Sequence, residues 1–83
     1  MKLFKISQSE RGGYDTYDSA VVAAETEEEA ALTYPGIESD KPITEWDKYS
    51  GWASSPANVY VEYLGEASDG IERGVIVSSF NAG

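Results

Sequence analysis

Hydrophobic and polar residues alternate at the start of the chain. Phe4 and Ile6 fall on one face of residues 2–7 and Leu3 on the other, the period of two that predicts a strand. The polar stretch that follows closes on Gly12-Gly13, a turn signal. From 17 or 18 to 24 the chain is a run of small and β-branched residues, Ser19-Ala20-Val21-Val22-Ala23-Ala24, which predicts a strand covered on both faces. In so short a chain one helix covers one face of a sheet, so this run points to self-association.

Thr26-Glu27-Glu28-Glu29 predicts a helix start. The threonine hydroxyl accepts from the Glu29 amide, the Glu29 carboxylate reaches back, and acidic residues suit the positive end of the helix dipole. Ala30, Ala31 and Leu32 continue a helix of barely two turns until Tyr34-Pro35-Gly36 stops it. Residues 37–58 are broken by Pro42, Gly51 and Pro56 and have no clear period, yet they hold both tryptophans. Trp46, Tyr49 and Trp52 are three apart, as one helical turn would align them, so this segment is either packed down or built to touch something. Ser55-Pro56 opens a further short turn. Residues 59–64 alternate Val59, Val61 and Tyr63 against Tyr60, Glu62 and Leu64, a third strand. Turn residues including Asp69-Gly70 lead to a fourth strand at 74–80. The expected fold is a single α+β domain over 1–83, in the order β-β-α-loop-β-β: a small antiparallel sheet of about four strands with one short helix on a face.

Composition narrows the chemistry. The 83 residues include no cysteine and no histidine, which removes disulfides, thiolate nucleophiles, imidazole bases and the usual zinc ligands. The expectation is a protein that is not an enzyme and needs no cofactor or metal. Glu25, Glu27, Glu28 and Glu29 do not have the spacing of a calcium loop. A formal charge of −9 repels a phosphate backbone, which argues against direct nucleic-acid binding, and suits a partner with a basic surface. No run nears the ~18 apolar residues of a membrane span, and Met1-Lys2-Leu3-Phe4-Lys5 turns polar too soon for a signal peptide. The expectation is therefore a soluble protein of the cytoplasm.

The candidate binding residues are Tyr14, Asp15, Tyr17, Asp18, Trp46, Trp52 and Arg73. Tyrosine and tryptophan offer rigid stacking area, aspartate accepts from ribose hydroxyls or arginine, and arginine holds phosphate or carboxylate bidentately. In an extended chain Asp15 and Tyr17 share one face and Tyr14, Thr16 and Asp18 the other. Each has an ordinary structural use as well: tyrosines as strand residues with buried rings, aspartates as turn caps, tryptophans as anchors of a long loop, and Arg11 and Arg73 as solvated loop cations.

Gly13-Tyr14-Asp15-Thr16-Tyr17-Asp18-Ser19-Ala20-Val21-Val22-Ala23-Ala24, with the glutamate-rich helix start after it, resembles a group of short proteins of tailed phages and prophages. Trp52-Ala53-Ser54-Ser55-Pro56, residues 59–65 and Gly74-Val75-Ile76-Val77-Ser78-Ser79-Phe80-Asn81-Ala82-Gly83 carry the same likeness, and 37–49 matches least. The resemblance implies a phage setting, in the host-cell cytoplasm, without a mechanism. In that setting the leading expectation is an inhibitor that counteracts host defence by stoichiometric binding to a host protein. The alternatives are a homo-oligomeric sponge for a nucleotide signal, with Tyr14, Tyr17, Trp52 and Arg73 as contacts, and a virion or assembly component.

Overall fold

The computed structural model describes residues 1–49 and 51–81. They form β1 (Lys2–Ser7), β2 (Thr16–Ala24), α1 (Glu27–Ala31), β3 (Tyr60–Glu66) and β4 (Gly74–Asn81). The strands make one antiparallel sheet in the order β3-β1-β2-β4, a small α+β fold with one short helix. The β1–β2 hairpin is the centre, and the two later strands flank it on opposite sides. β3 therefore runs parallel to β2 with β1 between them, and the chain must cross the sheet to get from one to the other. That crossing, residues 25–59, carries the helix and the aromatic segment over one face.

The register shows why these residues fold together. Phe4 and Ile6 lie opposite Val22 and Ala20 on one side and Tyr63 and Val61 on the other, so the alternation in three strands aims at one face. Ala30 of α1 and Ile43, Trp52, Ala53 and Val59 of the crossing segment close over that face. Trp52, Phe4, Ile6 and Val22 are the largest hydrophobic side chains fully enclosed. At ~25 cal/mol per Å² of apolar surface, a buried tryptophan dominates a core of this size.

The expected cap forms, with one shift. Thr26 Oγ1 accepts from the Glu29 amide at 3.1 Å, and Glu29 Oε1 accepts from the amide of Glu25 at 3.2 Å, one residue upstream of the cap itself. The helix ends at Ala31, and the chain then makes a single bridge between Thr33 and Pro42, with the Ile43 amide donating to the Leu32 carbonyl at 2.7 Å.

Of the two alternatives for 37–58 the packed-down one holds: the segment contains 3-10 turns at Trp46–Lys48 and Pro56–Asn58 and supplies the lid of the core. Two readings change. β3 continues two residues beyond its alternating run, through Gly65 at φ +149°, because a bulge at Leu64 resets its register against β1. And β2 is not covered on both faces. Ala20, Val22 and Ala24 are buried on the core face and Ala23 near the end of the far face, but Ser19 and Val21 on the far face are only half-buried, since the crossing segment lies on the other side of the sheet.

Candidate binding surfaces

The hairpin tip is held from inside by Gln8, a buried amide. Its Nε2 donates to the carbonyls of Arg11 and Tyr17 at 2.7 and 2.9 Å, and its Oε1 accepts from the Arg11 amide at 2.8 Å. All three bonds go to backbone groups, two of them on Arg11 in the turn and one on Tyr17 at the start of β2. Glu10 ties the same tip to the crossing segment. Its carboxylate accepts from the Ser54 hydroxyl at 2.6 Å, the Ser54 amide at 2.9 Å and Asn58 Nδ2 at 3.2 Å, and these bonds, from Ser54 above all, hold its pKa below the usual carboxylate value. Farther along, the Tyr17 amide donates to the Gly51 carbonyl at 2.9 Å, and a Cβ on Gly51 would lie 2.7 Å from the Asp15 carbonyl oxygen. Only glycine lets the two segments come that close.

The Tyr-Asp doubling is divided by this geometry. Asp15 has φ +58° and β2 begins only at Thr16, so the alternation of faces anticipated for 14–18 does not extend to Tyr14 and Asp15. Tyr14 is 77% exposed, Asp15 is exposed, and the Asp15 amide donates to the Asn81 carbonyl. Asp18 is exposed in a bulge of β2 and accepts from Asn81 Nδ2 at 3.0 Å. Tyr17 turns inward, half-buried, against the rings of Phe80 and Tyr34, at 4.7 and 5.7 Å between centroids.

Tyr17 thereby joins a row of aromatic rings. Tyr34 stacks on Tyr49 at 4.0 Å and 22°, and the Lys48 ammonium lies 5.7 Å from the Tyr49 ring. Burial, with Tyr17 and Tyr49 nearby, raises the Tyr34 pKa above the usual phenol value. Beside Tyr34 and Tyr49 is a cavity of about 140 Å³ that Lys41, Lys48, Glu38 and Glu45 also line. Trp46 is half-buried against the core and Trp52 is wholly enclosed, its indole Nε1 without a hydrogen-bond partner among the described residues. Both anchor the crossing segment.

Arg73 is not a solvated loop cation. It lies in the β3–β4 connection with its side chain 21% exposed, and its Nε is 3.3 Å from Glu29 Oε1, the carboxylate that also serves the helix start. Arg11 is half-buried at the hairpin tip. The glutamates of the α1 start stay dispersed: among the described residues no three histidine, cysteine or acidic side chains converge as a metal site requires.

The remaining surface is the uncovered face of the sheet. Lys5 and Glu62 lie opposite each other on it, as do Ser7 and Tyr60, and Val21 and Val77. Tyr60, Leu64 and Val77 are 63%, 47% and 58% exposed, with Leu3 and Val21 half-buried beside them. A shallow depression of about 170 Å³ lies over Lys5, Ser19, Val21, Val77 and Ser79. The candidate residues read from the sequence thus fall at separate places: Tyr14 and Asp15 at the tip, Asp18 in the bulge of β2, Tyr17 in the aromatic row, Trp46 and Trp52 in the lid, Arg73 against α1. Sequence reasoning missed Gln8 and Glu10, whose partners are up to 48 residues away, and it missed the open face. The alternation of Tyr60, Glu62 and Leu64 was the available signal for that face. No helix among the described residues is long and apolar enough to cross a membrane. Compared with protein families, with curated proteins and with solved structures, the chain matches none.

Proposed function

We propose that this chain is a non-catalytic binding protein that occupies a partner protein stoichiometrically, through the uncovered face of its sheet. The observation that carries the reading is the apolar character of that face, where Leu64 and Val77 are about half exposed beside Leu3 and Val21. Exposed apolar residues gathered on one surface mark interaction sites. The charge of −9 selects a partner whose contact surface is basic, since complementary potentials speed encounter and exclude like-charged competitors. Tyr14 and Asp15, exposed at the hairpin tip, add a second contact. The likeness to short phage proteins supplies the setting: a host protein as partner, and inhibition of host defence as the result of occupying it.

One observation favours a second reading, a sponge for a nucleotide signal. Stacked Tyr34 and Tyr49 beside Lys41 and Lys48 bring a surface for a base next to cations for a phosphate. The cavity of about 140 Å³ is smaller than the ~300 Å³ at which ligand pockets begin, so a nucleotide would need a wall from another chain.

Native mass spectrometry of the tagged protein, purified from bacteria with active defence systems, tests both. A host protein bound at equal stoichiometry, reconstituted from purified components, weakened by salt and weakened at least tenfold by Leu64→Glu, is the expected result. A nucleotide-sized adduct without a protein partner overturns it in favour of the sponge.

A further inference from the structure

β4 is an edge strand, with β2 on one side only, and edge strands present a row of unpaired N–H and C=O groups. Proteins protect such edges with charges, prolines, bulges or a covering loop. The other edge, β3, has these protections: Glu62 and Glu66 lie on it, and a bulge at Leu64 followed by Gly65 at φ +149° breaks its regularity. Among the described residues β4 is protected only at its start, where the Val75 amide donates to Ser39 Oγ at 3.0 Å and a bulge falls at Ile76. From Ile76 to Phe80 all five residues are exposed, and Gly74–Asn81 contains no charged residue and no proline. Ile76, Val77 and Phe80 are 49%, 58% and 45% exposed.

What can cover this edge follows from charge. With fifteen acidic and six basic residues, two copies of the chain repel each other over most of their surface, and an uncharged strand lets them approach with their carboxylates apart. An uncharged edge offers a basic partner no counter-charge. We propose that the edge of β4 pairs with the same edge of a second copy, antiparallel about a two-fold axis at Ser78, to make one continuous sheet across a homodimer. The exposed, uncharged run 76–80 is centred on Ser78, so this register sets Ile76 opposite the second copy's Phe80 and Val77 opposite its Ser79. Aromatic and β-branched residues are favourable cross-strand neighbours, and an isologous contact of this kind closes at two copies.

Analytical ultracentrifugation of the isolated protein at tens of micromolar decides the matter. The expected mass is twice the 9.0 kDa of the chain, and a monomer overturns the proposal. Ser78→Lys and Ser78→Glu each set like charges face to face at the axis and weaken self-association at least tenfold, with the far-UV circular dichroism unchanged. Mixed in equal amounts, the two variants form a heterodimer. A dimer indifferent to both substitutions, or two variants that fail to recombine, also overturns it. Leu64→Glu, on β3 at the opposite edge of the sheet, leaves the dimer intact, so loss of partner binding and loss of dimerisation are read separately.

Discussion

Glu10 shows how one carboxylate can join two distant parts of the chain while fully exposed. Three donors from Ser54 and Asn58 converge on it and lower its pKa from the usual 4.5. Because the folded-state pKa is the lower one, its contribution to stability is fully present above about 4.5 and is lost as the pH falls through the folded value. Glu10→Gln is therefore expected to lower the thermal midpoint at neutral pH, with the difference from wild type closing as the pH falls below 4.5 and through the folded-state value. A difference that stays constant over that range would mean that the amide disturbs packing and that ionisation is not what matters. Gln8 and Glu10 were not legible as structural residues in the sequence, because a polar side chain in a turn shows nothing of which distant backbone it will meet.

At the scale of the element, α1 is five residues long, too short to persist alone, and its start is held by the Thr26 side chain and by Glu29. Thr26→Ala leaves the Glu29 amide without its partner and is expected to cost about 1 kcal/mol. In a domain of this size that lowers the melting temperature by roughly 4–8 °C, measured by calorimetry. Glu29 also holds Arg73, so loosening the helix start loosens the β3–β4 connection with it. The cap could be read from four consecutive residues. The ion pair could not, since nothing local relates positions 29 and 73.

Over the whole molecule, the charge of −9 sets the compact state against itself. Raising the ionic strength from about 0.01 M to about 0.15 M shortens the screening length from about 30 Å to about 8 Å. The melting temperature is expected to rise across that interval, as followed by circular dichroism. A flat or falling response would show that attractive pairs outweigh the net repulsion. The strand and helix positions, the helix cap and the alternation along β1 and β3 were determined by the sequence, because period two, capping chemistry and turn residues act over a few neighbouring positions. The order β3-β1-β2-β4, the burial of Trp52, the inward turn of Tyr17 and the bare edge of the sheet were decided only by tertiary structure. They depend on which strands pair across dozens of residues and on which face the crossing segment lies, and no local pattern in the chain encodes that choice.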